Sequence, residues 1–300
     1  MDGIVNYINE KQVKNIIVMT GAGISTSAGI PDFRSRTFGL YDRLKDYNLP
    51  FPEAIFSNKY FLEKPEAFYA VAKELFASDE QFQPTPAHHF IRLLNDKGIL
   101  LRHYTQNVDE LEFAAGLDKE KNVQAHGTIQ TSTCLSCNKT YDLDWVKEQV
   151  LTAPLGVPKC PSPCGGLIKP DVVLFGDALP DRFWRLIAED FPECDLLIII
   201  GTSLAVAPFN QLVNQVPSTC PRLLINLSKT AEHSGSFAYR AIMWFNRIFN
   251  RVAGLKFDGS DKSKIRDVWW KGTCDDGTRL LAEKLGWKAE LEALIQSKKQ

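Results

Sequence analysis

The chain of 300 residues lacks any apolar run near the ~18–20 residues that a membrane-spanning helix needs. It lacks a net charge of consequence: 35 basic against 36 acidic residues leave −1, so no global field draws it to nucleic acid or to an anionic membrane. The first residues, Met1-Asp2-Gly3-Ile4-Val5-Asn6, carry neither a basic segment followed by an apolar stretch nor an arginine. The expectation is therefore no secretory leader and no mitochondrial transit segment. Terminal repeats and low-complexity tails are also missing. The length admits one large domain, or one domain with a smaller one inserted.

A further absence lies within a glycine-rich stretch, Gly21-Ala22-Gly23-Ile24-Ser25-Thr26-Ser27-Ala28-Gly29-Ile30-Pro31-Asp32-Phe33-Arg34-Ser35. The apolar run Ile16-Ile17-Val18-Met19 before it reads as a buried strand. Strand, Gly-x-Gly, then small polar residues is how a backbone approaches a pyrophosphate, with a following helix N-terminus offering its N–H groups. The third glycine of the dehydrogenase fingerprint would fall at Thr26. The stretch thus predicts a nucleotide site that differs from that of a hydride-transfer enzyme. Asp32-Phe33-Arg34 can cover the ligand, with Arg34 pairing to phosphate or to a bound carbonyl.

Residues 4–14 read as a leading helix. Residues 39–82 are aromatic and punctuated by proline, and Pro65 suits a first helical turn; this segment reads as a helical insertion. Thr85 is a candidate N-cap with Pro86 in the first turn of a helix to Leu94. Strands are expected at Ile99–Thr105, Val123–Gly127, Val172–Phe175, Leu196–Ile200 and Leu223–Ile225, and a helix broken near Gly286 over 278–295. Near-continuous apolar runs separated by helices predict a parallel sheet covered on both faces. Polar groups at the carboxyl ends of such strands line a ligand crevice. Gly21, Gln106, His126, Gly176 and Gly201-Thr202-Ser203 are expected there.

Asn107 and Asp109 follow one of these strands and serve either as turn formers or as site residues. His126 has the titration range of a general base near neutral pH. Seven cysteines is an odd number; Cys194, Cys220 and Cys274 are scattered, whereas Cys134, Cys137, Cys160 and Cys164 form two close pairs. That spacing predicts a structural zinc site with a closed ligand shell.

Taken in order, the motifs at 21–35, Thr-Gln-Asn-Val-Asp at 105–109, Ala-His-Gly at 125–127, the four cysteines, Lys-Pro-Asp-Val-Val-Leu-Phe-Gly-Asp at 169–177, Gly-Thr-Ser-Leu-Ala-Val at 201–206 and Leu-Ile-Asn-Leu at 224–227 resemble the sirtuins. The ending resembles the cytosolic sirtuin-2 branch of class I. The resemblance implies an α/β fold: a doubly wound, Rossmann-like NAD-binding domain of residues 1–38, 84–128 and 169–300. It also implies a small domain made of a helical insertion, 39–83, and a Cys₄ zinc module, 129–168. The implied activity is NAD-dependent removal of acyl groups from protein lysines, with acyl transfer to ADP-ribose and release of nicotinamide. An ADP-ribosyltransferase or an NAD-sensing interaction module is the alternative.

By the same resemblance, His126 and Asn107 are catalytic, His126 as general base on a ribose hydroxyl. Ala22, Ile30, Asp32, Phe33, Asn107 and Asp109 form the nicotinamide pocket, flanked by Gly21, Gly23 and Arg34. Gln106 contacts the ribose, and Gly201, Thr202, Ser203, Asn226 and Cys274 hold the adenosine half. The substrate peptide adds a strand between 172–176 and the loop near 204–208, through Val173, Leu174 and Phe175. The co-substrate is NAD, the metal one structural Zn²⁺, and the partners are acyl-lysine proteins or peptides. A monomer in cytoplasm or nucleus is expected, without direct nucleic-acid binding and without a membrane span.

Departures from the family pattern are Val108, Asp177, Leu227-Ser228 and the stretch 236–253. In that stretch Ala241, Phe245, Ile248 and Val252 share one helical face and Arg240, Arg247 and Arg251 another. A helix packed on the body is the plain reading; a partner or membrane-surface element is the alternative. The helical insertion lacks the Tyr-x-x-Arg pair of sirtuins that take acidic acyl groups, which predicts neutral ones, acetyl and longer chains beside Phe56 and Phe68.

Overall fold

The computed structural model describes residues 1–31, 49–77, 82–152, 156–229, 254–255, 257 and 266–297. Asp32, Phe33, Arg34 and the stretch 236–253 lie outside the described residues. Strands are β1 (Ile16–Thr20), β2 (Leu100–Thr105), β3 (Asn122–Gln124), β4 (Gly127–Cys134), β5 (Thr140–Asp142), β6 (Ile168–Val172), β7 (Leu196–Ile200), β8 (Arg222–Asn226) and β9 (Asp267–Lys271). They form a six-stranded sheet in the order β3-β2-β1-β7-β8-β9 and a three-stranded sheet in the order β5-β4-β6.

The first compact unit comprises 1–32, 83–125 and 181–300 and holds the larger sheet. Every pairing in it is parallel. All residues of β1 and β7 are buried, as strands covered on both faces must be. Ile16 and Val18 of β1, with Leu196, Ile198 and Ile200 of β7, pack against Ile4, Val5 and Ile8 of the helix Asp2–Lys11 and Phe90, Ile91 and Leu94 of the helix Pro86–Asp96. Tyr104, Phe183 and Phe191 form an edge-on aromatic group elsewhere in the unit. Thr85 caps the helix Pro86–Asp96 within a capping box that uses His88 in the place usually taken by Glu. The C-terminal helix is broken at Gly286 (φ 78°) into Cys274–Lys284 and Lys288–Gln296. This is the doubly wound parallel sheet that the sequence predicts.

The second unit comprises 33–82 and 126–180. Its sheet is antiparallel. The helix Pro65–Ala77 packs on the helix Leu143–Thr152, and the Tyr69 hydroxyl donates to the Ile168 carbonyl at 2.7 Å. Here one expectation fails. The apolar run at 172–175 is not a strand of the parallel sheet: β6 ends at Val172 and pairs antiparallel with β4. Gly176 accordingly lies past this sheet and not at a carboxyl end in the larger one. Apolar content alone cannot distinguish a parallel from an antiparallel partner, because pairing is decided between strands.

Candidate active site and metal centre

In the first unit the carboxyl ends of β1, β2 and β7 lie side by side, since β1 pairs with both neighbours. Strand order reverses at such a point, and the loops there interlock. Within its described part, to Pro31, the glycine-rich loop makes two short 3₁₀ turns, Ala22–Ile24 and Thr26–Ala28. Gly23 donates its N–H to the Gly201 carbonyl at 2.8 Å. A Cβ on Gly23 would lie 2.6 Å from that oxygen, and a Cβ on Gly201 would lie 2.6 Å from the Ile24 nitrogen. These glycines serve loop-on-loop packing, so the absence of a Cβ is spent on protein and not only on a phosphate. A Cβ on Gly21 would meet Thr202 and Gln106, whose side chains are joined by a 2.8 Å hydrogen bond from the Thr202 hydroxyl.

Asn107 and Asp109 act together. The Asn107 amide donates to the Gly21 carbonyl at 3.3 Å and to the Ser25 hydroxyl at 3.2 Å. The Ser25 hydroxyl donates to the Asp109 carboxylate at 2.6 Å. The Leu111 N–H donates to its other oxygen at 3.1 Å, so Asp109 also forms the turn that starts the helix Leu111–Ala114. Burial raises the Asp109 carboxyl; the Ser25 and Leu111 hydrogen bonds oppose this. Ser25 is buried and central to the set, and the sequence reading gave it no role.

Cys274 begins the helix Cys274–Lys284, and its Sγ donates to the Gly23 carbonyl at 3.3 Å. Burial pushes this thiol up to about 12, so it is a neutral packing group. Asn226, at the end of β8, donates to the Ser228 carbonyl at 2.9 Å, and its own carbonyl accepts from the Trp269 indole at 3.1 Å. Ala22 and Ile30 are half-buried, Thr202 is buried and Ser203 is exposed.

In the second unit, His126 immediately precedes β4, and its carbonyl accepts the Val173 N–H at 2.8 Å. A Cβ on the adjacent Gly127 (φ 75°) would lie 2.0 Å from the Asp171 carbonyl, which leaves glycine as the fitting residue there. Phe175 donates its N–H to Phe56 (2.7 Å) and accepts from Asn58 (3.0 Å). Leu174 and Asp177 close a tight turn, with the Leu174 N–H on the Asp177 carboxylate at 3.0 Å. Lys169 pairs with Asp177 at 3.0 Å. Leu174 is buried, while Phe175 is 51% exposed, a large apolar side chain left for something else to cover.

Cys134, Cys137, Cys160 and Cys164 bring their sulfurs within 4.8 Å of one another. The Cys134–Cys164 and Cys137–Cys160 separations are both 3.7 Å. A disulfide would need about 2.05 Å. Sulfurs at the corners of a tetrahedron with Zn–S bonds of about 2.3 Å lie about 3.8 Å apart. The four cysteines therefore fit a closed Zn²⁺ site. The Ser136 N–H also points to the Cys134 sulfur at 3.4 Å, and the Tyr141 hydroxyl lies 3.0 Å from that of Cys160, orienting contacts of the kind that tune thiolate ligands.

Residues 21–208 match the Sir2 family. The NAD-dependent protein deacetylase sirtuin-2 of Danio rerio is 51% identical over 298 residues, 99% of this chain and 74% of its own length. The NAD-dependent deacetylase sir2A of Dictyostelium discoideum is 45% identical over 99% of this chain and 54% of its own length. The NAD-dependent protein deacetylase hst2 of Schizosaccharomyces pombe is 41% identical over 99% of this chain and 80% of its own length. With the family match over residues 21–208 and relatives of 41–51% identity over nearly its whole length, this chain, with its six-stranded parallel sheet and four-cysteine cluster, belongs to the Sir2 family, the sirtuins.

Proposed function

We propose that this protein is an NAD-dependent protein lysine deacetylase that passes the acyl group to ADP-ribose and releases nicotinamide. The observation that carries the reading is the Asn107–Ser25–Asp109 set at the carboxyl ends of β1 and β2. It combines a carboxylate acceptor with amide and hydroxyl groups, the donor and acceptor chemistry that a carboxamide such as that of nicotinamide requires. The names of the relatives, all NAD-dependent deacetylases, support it.

NAD supplies an electrophilic ribose carbon whose leaving group is nicotinamide. Ala22, Ile30, Asp32, Phe33, Asn107 and Asp109 are assigned to the nicotinamide side, Gly21, Gly23, Arg34 and Gln106 to phosphate and ribose, and Gly201, Thr202, Ser203, Asn226 and Cys274 to the adenosine side. Asn107 and Asp109 orient the leaving carboxamide, and positioning is much of what such a weak nucleophile as an amide oxygen needs. His126 takes a proton from a ribose hydroxyl. Val173, Leu174 and Phe175 receive the acyl-lysine segment as an added strand, the exposed Phe175 lining the acyl chain.

We further assign residues 1–38, 84–128 and 169–300 to an NAD-binding domain, and 39–83 with 129–168 to a small domain held by one zinc ion; of the former, 33–38, 126–128 and 169–180 fall in the second compact unit. The acyl groups taken are neutral. We expect a monomer located in the cytoplasm, with the nucleus as a second compartment, without direct nucleic-acid binding. Among the described residues no helix is long and apolar enough to cross a membrane. Incubation with NAD and an acetyl-lysine peptide tests the reading: nicotinamide and free lysine in equal amounts support it, and ADP-ribose attached to protein without deacetylation overturns it.

A further inference from the structure

Beside Asp109 in the first unit lies a buried carboxyl, that of Glu112, which neither the fold nor the chemistry above uses. His88 of the helix Pro86–Asp96, Asp109, and Glu112 of the helix Leu111–Ala114 bring one ligand atom each within 4.8 Å of one another. His88 and Glu112 are each 1% exposed. His88 Nε2 and both Glu112 carboxyl oxygens have no hydrogen bond of ordinary geometry among the described residues. Orphaned polar atoms at this depth are costly unless something shared between them offsets the loss of water.

Either a cation or a proton could be shared, and the tautomer of His88 decides. The Thr85 backbone N–H points at His88 Nδ1 at 3.1 Å. The Thr85 hydroxyl lies 2.8 Å from the same nitrogen but donates to the Ile24 carbonyl at 2.9 Å. A backbone hydrogen cannot rotate away, so Nδ1 accepts. Burial first, then the neighbouring His103 and His89, pushes His88 down to about 3, so the ring is neutral and its one hydrogen is on Nε2. A nitrogen bearing hydrogen has no lone pair for a metal. The cluster holds a donor turned toward two carboxyls.

Two carboxylates this close and this dry do not both ionise. Asp109 keeps the anion because Ser25 and Leu111 donate to it. Neither Glu112 carboxyl oxygen has a hydrogen bond of ordinary geometry among the described residues. Burial first, then the charge of Asp109, pushes Glu112 up to about 8; its own backbone N–H and the Thr105 hydroxyl oppose this, and Glu110 adds to it. Among the described residues the other titratable groups acting on the cluster are Glu110, His89 on the helix of His88 and His103 on β2, the last pushed down to about 4 by burial. None of these brings positive charge at neutral pH.

We propose that Glu112 is a positioning residue: it carries a proton at neutral pH and leaves Asp109 as the single anion beneath the Asn107–Ser25–Asp109 set. What that set grips rests on the function proposed above; the location of the proton does not. When Glu112 loses its proton, repulsion between the carboxylates displaces Asp109, and Ser25 and Asn107, bonded in series to it, lose their alignment.

Infrared difference spectra of the whole protein without NAD, between about pH 6.5 and about pH 9.5, read the proton directly. A protonated carboxyl band that titrates near the value above, and that is absent in E112Q, is the expected result. Nicotinamide release from NAD and an acetyl-lysine peptide is then followed across the same range. In the wild type kcat/KM should fall about tenfold per pH unit beyond the titration, and E112Q should lose that alkaline fall. No titrating band in the folded wild type overturns the proposal, whatever the variants do. So does an alkaline fall that persists unchanged in E112Q, or a second metal ion bound per chain. A wild type that shows the band but releases no nicotinamide supports the proton assignment and overturns the function it serves.

Discussion

Arg222 and Asp267 stand opposite each other across the β8–β9 pair and join through two parallel hydrogen bonds of 2.6 and 2.7 Å. Both side chains are buried, 3% and 2% exposed. The remaining guanidinium donors go to the carbonyls of Val213 (2.7 Å) and Gly254 (2.9 Å). The pair anchors the outermost strand of the larger sheet. Replacing one member strands the other charge in the interior, so D267A is expected to cost about 3–5 kcal/mol by urea unfolding. An apolar double replacement of both residues should recover much of that loss. A D267A penalty below about 1 kcal/mol would contradict the burial seen here.

The four-cysteine cluster predicts one zinc ion per chain that is not exchanged into catalysis. C134A removes a buried corner of the tetrahedron. Because a closed site contributes to folding directly, C134A should lose the metal and the protease resistance of the second unit together. Metal analysis and limited proteolysis check this. A zinc-free C134A with wild-type activity would refute a structural role for the metal.

H126A should reduce deacetylation by a factor of about 10²–10⁴, the usual range for losing a general base. NAD affinity should change only severalfold, because His126 is assigned to proton transfer. Single-turnover rates and calorimetric titration with NAD separate the two effects. Turnover close to wild type would remove His126 from the mechanism.

The pH dependence of stability should carry two opposed contributions with identifiable sources. His103 lies between Thr20 (2.8 Å) and Asn122 (2.7 Å), and burial lowers both it and His88, to about 4 and about 3, from 6.5. Their contribution is present above the unfolded value and is lost as pH falls from about 6.5 through those folded values, on the order of 3 kcal/mol each. Glu112 works in the opposite direction. Its folded value, about 8, is above the ordinary 4.5. Its contribution is therefore full below about 4.5 and is lost as pH rises toward about 8. Denaturant unfolding of wild type, H103Q and E112Q from about pH 4 to about pH 9 tests this: H103Q should flatten the loss below about pH 6.5, and E112Q should remove a decline between about pH 4.5 and about pH 8.

The sequence was readable wherever a segment carries its own explanation. Ile16–Met19 and Leu196–Ile200 are buried whichever neighbour they meet, and both are central strands. Thr85-Pro86 starts a helix by local chemistry, and the paired cysteines converge as their spacing implies. What escaped depends on distant partners. β4 is mostly threonine, serine and glutamine, reads as a loop, and becomes a strand only between β5 and β6. β9 is a short, half-buried strand that gains its meaning from Arg222. Ser25, His88 and Glu112 have no pattern of their own; the loop after β1, the helix Pro86–Asp96 and the chain after β2 define them jointly. The role of Gly23 was legible as close approach, but that its neighbour would be Gly201 was not.

The interlock of the loops after β1 and β7 also sets an order of events for a chain growing from its N-terminus. β1 is made early, yet the neighbour on one side of it arrives late: the Asn15 N–H reaches Asp195, 180 residues downstream, at 3.0 Å. Contacts of that span are slow to form because a long loop must close first. A nascent chain that has emerged only past Pro180 holds all of the second unit, with His126 and all four zinc ligands, but has no Gly201 on which to seat Gly23. The metal module can thus mature before any nucleotide can be held, and the last third of the chain determines when the enzyme first becomes able to consume NAD.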